Sequence, residues 1–338
     1  MPKAAAKIEP NVTLKQVAHS AGVSLATASY VLNDTKPTTP EVAQRVRLAA
    51  KTLGYRPNQA ARALKTGSTR AIGFVVPDLQ NPFFPKIVQA AEHRARELGY
   101  SLMLVDINDD PRIERDALEQ FARAGVEAVI CGSLKGKLPA GLPYPVIALD
   151  SPMPGSDGVY ADHFHGGMLA MQFALEHNHK RIGLLSGPQT TTSAKLRRDG
   201  AVSAVGQAQI VWEYECPFSL DVPEKAIQHL LRREVSLVIA GSDVIAIGAM
   251  NALLEHGFAV PDDVSLIGFD DIAWSSIVRP RLTTIQQPIE EIGTHAVDAA
   301  VRRIKTPNAA VSSEVLGVRV IERESVRTLT LAPSMNSN

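Results

Sequence analysis

The sequence is poor in most of the features that place a chain quickly. It has 2 cysteines in 338 residues, Cys131 and Cys216. That excludes a disulfide scaffold. Both lie in apolar segments, which suits buried fillers in a reducing cytoplasm. No run of about 18 apolar residues occurs, so no membrane span is expected. The opening stretch MPKAAAKIEPN lacks the long apolar core of a secretory leader. Aromatics are only 5%, but hydrophobic residues reach 45%, too many for a disordered chain. Signatures of common enzymes are missing too. There is no Walker-type phosphate loop, no G-x-G-x-x-G, no H-E-x-x-H and no G-x-S-x-G. An enzyme is therefore not expected, nor a cofactor. The pairs His163/His165 and His177/His179 are each two positions apart, so on a helix they would not share a face. No metal is expected. The first pair reads as a strand end, the second as a helix C-terminus, where the dipole favours imidazole.

Net charge is also lacking: 35 basic and 35 acidic residues cancel. The balance hides a split. Residues 1–70 carry 11 Lys and Arg against 3 Asp and Glu, and the remainder is correspondingly acidic. A basic head on an acidic body points to a polyanionic partner for the head, though a solvated basic face has the same composition. The length exceeds the ~250–300 residues at which one core stops growing, so at least two domains are expected.

The head reads as short helices. Thr13-Leu14-Lys15-Gln16 is a capping box, followed by Val17, Ala18 and Ala21 at helical spacing. Gly22 breaks that helix. Ser24 caps a second over 25–33, with Ala26, Thr27 and Ala28 small enough to pack on the first and Val31 and Leu32 pointing inward. Thr39-Pro40-Glu41 starts a third that runs through Val42, Val46, Ala49 and Leu53 to Gly54. Two short helices joined at a glycine form a helix-turn-helix, whose second helix can read base edges in the major groove. Its outward side offers Ser24, Leu25, Thr27, Ser29, Tyr30 and Asn33, with no arginine for bidentate contact to guanine. The same pattern also suits a small bundle with an incidental polar face. Next, Asn58 can cap a short helix carrying Ala61, Arg62, Leu64 and Lys65. A leucine between two cations fits a wedge into the minor groove, or a tether packed on the body.

The body repeats itself. Residues 70–77 resemble 180–188, 126–133 resemble 235–242, and 146–150 resemble 265–270. Ile72 and Ile182 are 110 positions apart, Val129 and Val238 are 109, and Ile147 and Leu266 are 119. That spacing fits two copies of one fold. Short apolar runs alternate with helical patterns at 84–98, 112–124, 164–178 and 242–256, so each copy is expected to be a doubly wound parallel α/β domain. Ligands in such sheets bind beyond the strands' carboxyl ends. Those ends carry Asp78, Ser133, Asp150, Ser186, Ser242, Asp243 and Asp270. Carboxylates paired with hydroxyls suit a neutral polyhydroxyl ligand, and Phe83, Phe84, Phe218 and Trp274 can cover its apolar face. Any one of these acids can equally be a helix N-cap.

The ordered motifs resemble the lactose/galactose repressor (LacI/GalR) family of bacterial transcription regulators. The match runs through Thr13–Ala18, Ala21–Asn33, Gly54–Leu64, Ile72-Gly73, Pro77-Asp78, Asn81–Phe84, Val260–Asp271, Leu282–Pro288 and Arg323–Ser325. The resemblance implies a helix-turn-helix headpiece over 1–56 and a hinge helix and linker over 57–69. It implies two periplasmic-binding-protein-type subdomains, 70–161 with about 291–319 and 162–290 with about 320–330, and a tail at 331–338. It implies a cytoplasmic homodimer on a pseudo-palindromic, double-stranded operator, usually as a repressor. Leu25, Ala26, Thr27, Ser29 and Tyr30 would enter the major groove. Thr13, Ser24, Asn33, Tyr55, Asn58, Ala61 and Arg62 would contact phosphates or form the hinge, and Leu64 would wedge the minor groove. Asp78, Phe83, Phe84, Asp150, Arg197, Phe218, Asp243 and Asp270 would bind a small-molecule effector, a sugar or sugar derivative. Tyr30 departs from the family pattern, since many members have Arg there. Thr191 stands where some purine-responding members carry Arg, which argues against a purine. Residues 131–145 leave no room for a full helix. Thr27–Val31 and Asp78–Asn81 resemble fructose and sucrose regulators of this family. A non-sugar metabolite as effector, or a sugar-binding protein without DNA function, are the alternatives.

Overall fold

A computed structural model describes residues 12–33, 36–55, 63, 67–132, 139 and 141–330. The chain divides into two compact units, Met1–Thr69 and Arg70–Asn338.

The first unit holds α1 (Leu14–Ser20), α2 (Leu25–Asn33) and α3 (Pro40–Leu53). The capping box forms: the Gln16 amide donates to the Thr13 hydroxyl, and the Thr13 amide donates 2.8 Å to the Gln16 side chain. Gly22 adopts φ +63°, which ends α1 and starts the turn. Ser24 caps α2 by accepting from the Thr27 amide at 3.0 Å. Val17, Ala18, Ala28, Val31, Val46, Ala49 and Ala50 bury together, with Leu32 and Tyr55 packed against them. One residue expected to pack on α1 does not. Ala26 is exposed, because the contact with α1 passes through Ala28 instead. Leu53 is 36% exposed at the last turn of α3, beyond the reach of the three-helix core.

The second unit follows as β1 (Ala71–Val76), α4 (Phe83–Glu97), β2 (Ser101–Asp106), α5 (Pro111–Ala124), β3 (Ala128–Cys131), β4 (Val146–Leu149) and β5 (Asp157–Ala161). Then come α6 (His163–Glu176), β6 (Arg181–Ser186), α7 (Thr192–Ser203), β7 (Gln209–Glu215), α8 (Glu224–Leu231), β8 (Leu237–Ala240), α9 (Asp243–Glu255) and β9 (Ser265–Asp270). The chain closes through a 3-10 turn (Ala273–Ser276), β10 (Thr283–Gln286), α10 (Ile289–Lys305), β11 (Ser313–Leu316) and β12 (Arg319–Ile321). The strands form two six-stranded sheets, ordered β11-β5-β4-β3-β1-β2 and β12-β10-β9-β8-β6-β7. All described pairings are parallel except β10 with β12.

The repeated segments explain this layout. β1, β3 and β4 occupy the same places in the first sheet as β6, β8 and β9 in the second. Their interiors are almost wholly buried, as expected for strands covered on both faces. Each sheet takes its outermost strand on one side from the last part of the chain, and α10 packs on the first sheet although β9 and β10 lie in the second. The polypeptide thus passes from one sheet to the other at 162, near 287 and near 318. The stretch thought too short for a helix is described only in part, with 133–138 and 140 outside the described residues. Cys131 and Cys216 are buried free thiols, and burial raises both pKa values.

A terminal strap laces onto the second sheet. The His179 Nε2 donates 2.9 Å to the Arg327 carbonyl, and Asn178 donates 2.9 Å to the Leu329 carbonyl. Burial pushes the His179 pKa down to about 4 from its ordinary 6.5. The unfolded chain therefore binds more protons than the native one between these values, and stability from neutral His179 is lost as pH falls through that window. Glutamine at this position does not titrate. The stability difference between wild type and His179→Gln should move against wild type by ~3 kcal/mol between pH 7 and pH 4. Thermal midpoints at both pH values check this; a constant difference would mean that His179 charges freely in the native state.

Candidate functional site

Both sheets direct their strand ends at one cavity of about 230 Å³. From the first sheet, Asp78 and Asn81 follow β1, Asn108 and Asp109 follow β2, and Asp150 follows β4. From the second, Thr191, Ser193 and Arg197 lie at the start of α7, Pro217, Phe218 and Ser219 follow β7, and Asp270 ends β9. Phe83 and Phe84 at the start of α4 complete the wall and meet edge to face, 5.2 Å between centroids. Asp150 and Asp270 leave their strands with φ of +71° and +118°, backbone that side-chain-bearing residues adopt rarely. Such strain is characteristic of functional sites.

Arg197 is the cation of the lining among the described residues and is 6% exposed. Its Nη1 donates 2.7 Å to the Gly241 carbonyl and lies 3.1 Å from the Asp270 carboxylate. Its Nε points at His163 Nδ1, 3.3 Å away, and its guanidinium lies 3.9 Å from the Phe269 ring centroid. Asp270 also accepts from Gln287 at 2.6 Å. Burial raises the Asp270 pKa, and the Arg197 charge opposes the rise. Across the cavity, the Ser193 hydroxyl donates 2.6 Å to the Asp150 carboxylate. Among the described residues, the carboxylates of Asp78, Asp109, Asp150 and Asp270 and the guanidinium of Arg197 are the charged groups of the lining.

Seven of the eight residues expected around the effector line this cavity: Asp78, Phe83, Phe84, Asp150, Arg197, Phe218 and Asp270. Asp243 does not. It is fully buried at the start of α9, where its carboxylate accepts from the Ile272 amide at 2.9 Å, the Ser275 hydroxyl at 2.6 Å and the Thr284 hydroxyl. It fastens the 3-10 turn and β10 instead of facing a ligand, and burial beside Asp270 raises its pKa. Trp274, expected as a cover, sits 37% exposed on that turn and outside the lining. Ser186 and Ser242 are likewise buried outside it, and Ser133 lies outside the described residues. His163 corrects a third reading. It opens helix α6 instead of ending a strand, and its ring is 1% exposed between Asp150 and Arg197. Its partners lie 13 and 34 positions away, so the spacing of the His163/His165 pair gives no sign of them. Asn81, which the Asn-Pro-Phe-Phe run places beside Phe83 and Phe84, also lines the cavity.

In the first unit, Leu25 is 52% exposed, Ala26 and Asn33 are exposed, and Thr27, Ser29 and Tyr30 are half-buried on α2. The Asn33 side chain donates 2.8 Å to the Ser29 carbonyl, and Lys36 Nζ lies 4.9 Å from the Tyr30 ring centroid. Thr13 and Ser24 are occupied as helix caps with exposed positions, and Tyr55 packs against the helical core. Asn58, Ala61, Arg62 and Leu64 lie outside the described residues.

A helix-turn-helix unit in one chain with a twinned, parallel α/β module that has a cavity at its strand ends defines a DNA-binding regulator with a built-in small-molecule sensor. Comparison with known families agrees. Residues 13–58 match the bacterial regulatory proteins of the lacI family, and residues 69–323 match the periplasmic binding proteins and sugar binding domain of the LacI family. The chain belongs to the LacI family of bacterial transcriptional repressors. It is 34% identical to the HTH-type transcriptional repressor PurR of Mannheimia succiniciproducens, covering 94% of this chain and 99% of that one. It is 33% identical to the ribose operon repressor of Bacillus subtilis, covering 93% and 98%. The crystal structure of the lac repressor dimer bound to operator and the anti-inducer ONPF superposes with a TM-score of 0.82 at 27% identity, over 94% of this chain and 100% of that one. These relatives are named as repressors, and none as an enzyme. Among the described residues, no helix is long and apolar enough to cross a membrane.

Proposed function

We propose that this repressor binds a pseudo-palindromic operator as a cytoplasmic homodimer and is controlled by a neutral monosaccharide-sized polyol in the cavity. In this reading Leu25, Ala26, Thr27, Ser29 and Tyr30 meet base edges in the major groove. Thr13, Ser24, Asn33 and Tyr55, with Asn58, Ala61 and Arg62, hold phosphates or form the hinge, and Leu64 wedges the minor groove. Asp78, Phe83, Phe84, Asp150, Arg197, Phe218 and Asp270 contact the effector; Asp243 is left out because it is sealed from the cavity.

The charge of the cavity carries the choice of ligand. Among the described residues of the lining, four carboxylates against one arginine disfavour a phosphate, whereas carboxylates accept paired hydroxyls well. The volume of about 230 Å³ is below the ~300–1,000 Å³ of drug-sized pockets, which suits a single ring. Phe83, Phe84 and Phe218 offer apolar faces for its C–H side. The ribose operon repressor among the relatives makes D-ribose the first sugar to try.

The test is a thermal-shift panel of neutral monosaccharides, D-ribose included, beside their phosphates and purine bases. A neutral sugar should raise the midpoint with concentration, by the free energy that ~100-fold saturation supplies, ~3 kcal/mol. The phosphates should not. A panel in which only purines or phosphorylated sugars stabilise the chain would reject the reading.

A further inference from the structure

His163 is a buried titratable group that neither the capping of α6 nor the cavity lining explains. Two glycines bring it to Arg197. A Cβ on Gly167 would lie 2.0 Å from the Arg197 carbonyl oxygen, and one on Gly200 would lie 2.0 Å from the Phe164 carbonyl oxygen. The backbones of α6 and α7 therefore touch, and the first turn of α6 sits beside the arginine.

The ring spans two partners. His163 Nδ1 lies 3.3 Å from Arg197 Nε, and Nε2 lies 2.7 Å from the Asp150 carbonyl oxygen. An arginine Nε–H can only donate and a carbonyl can only accept. The imidazole must therefore carry its proton on Nε2 and its lone pair on Nδ1. A doubly protonated ring would set N–H against N–H and one cation against another. The groups facing the ring are Arg197, Asp150, Asp162 at the cap of its own helix, and the Phe269 ring at 6.1 Å. Burial first and the Arg197 charge second push its pKa down to about 4. The ring is neutral in the physiological range.

We propose that His163 is a positioning residue of the effector site, holding the Arg197 guanidinium and the Asp150 main chain in one fixed relation. This rests on the cavity being the effector site. Arg197 has its Nε and Nη1 committed to His163, Gly241 and Asp270, while among the described residues Nη2 meets no partner. That leaves one edge of the fork for a ligand oxygen. Asp150 belongs to the first sheet and both His163 and Arg197 belong to helices on the second. The imidazole thus sets the donor of one side at a defined offset from the carboxylate of the other, which is what discrimination among neighbouring hydroxyls needs.

Two near-isosteric changes separate the two bonds. His163→Asn keeps an acceptor near Nδ1 but cannot reach Asp150. His163→Gln keeps a donor near Nε2 but offers Arg197 nothing at Nδ1. His163→Leu removes both. The first readout needs no ligand: the Arg197 Nε–H resonance of the full chain labelled with 15N-arginine, assigned through Arg197→Lys. It should exchange slowly with water in wild type and His163→Asn, and rapidly in His163→Gln and His163→Leu. The second is calorimetric titration with D-ribose. Its Kd should weaken about 10-fold in each of the two isosteric variants, as for the loss of one charge-assisted or carbonyl hydrogen bond, and further in His163→Leu. Duplex binding should not change. If wild type takes up D-ribose and all three variants bind it equally, the positioning role is wrong. If wild type ignores D-ribose, the ligand assignment fails on that probe, and the exchange of Nε–H decides the role of His163 alone: slow exchange in His163→Gln overturns it. Should His163→Leu not fold, the isosteric pair still gives the answer.

Discussion

Arg197→Ala should abolish the thermal shift given by the proposed sugar effector while leaving affinity for duplex DNA unchanged. The change removes the guanidinium that, among the described residues, lines the cavity beside four carboxylates. It also strands Asp270, 3% exposed and 3.1 Å from the lost Nη1, with only Gln287 left to donate to it. Breaking a buried pair in this way costs about 3–5 kcal/mol, shared between folding and ligand affinity. Arg197→Lys separates the two. Lysine restores a positive charge for Asp270 but not the planar fork that reaches Gly241, Asp270 and His163 together. Its thermal midpoint should recover most of the loss, whereas its sugar affinity should stay about 100-fold weak, the upper end for losing one charge-assisted bond from the free edge of the fork. A normal sugar response in Arg197→Ala would place the effector elsewhere.

The second large effect is expected at Gly200. The atom that a new Cβ would meet is the Phe164 carbonyl oxygen, at 2.0 Å. Backbone cannot rotate away as a side-chain tip can, so α6 and α7 must separate. Overpacking typically costs ~1–3 kcal/mol, and a clash with main chain belongs at the upper end. Gly200→Ala should therefore lower the thermal midpoint by roughly 6–12 °C. It should weaken sugar binding too, because it draws His163 away from Arg197. Gly317→Ala is the control: nothing lies within 4 Å of a Cβ there, so its midpoint should stay near wild type. An unchanged midpoint for Gly200→Ala would mean that the two helices are not held at this separation.

Much of the fold was legible because its two halves carry one pattern. Ile72 and Ile182 sit at matching places in β1 and β6, and Val129 and Val238 in β3 and β8, where Gly73 pairs with Val129 and Gly183 with Val238. Apolar runs this short, separated by helical spacing, have few other ways to bury themselves. The cap at Thr13 and the break at Gly22 were legible for a similar reason, since both depend on residues within one turn. The site was less transparent. Asp243 and Asp270 both flank apolar strands, and nothing local says that one is sealed beneath three donors while the other opens to the cavity. That difference is set by Ser275 and Thr284, more than 30 residues away from Asp243. His163 was hidden by the same distance effect. Its partners are Asp150 and Arg197, 13 and 34 positions away, and neither helical nor strand periodicity brings such residues together. The glycines that do so, Gly167 and Gly200, look in the sequence like ordinary helix weakening.

The central claim is that a basic headpiece carries DNA binding while the α/β module carries sensing. Anisotropy of a labelled random duplex tests it most directly, titrated with the full chain and with a chain beginning at residue 70. Between ~50 and ~200 mM salt the full chain should lose on the order of 10³-fold in affinity, as phosphate contacts release counterions. The shortened chain should bind no duplex at either salt concentration yet keep its thermal shift with the stabilising sugar. Equal duplex binding by both chains, with the same salt dependence, would contradict the claim.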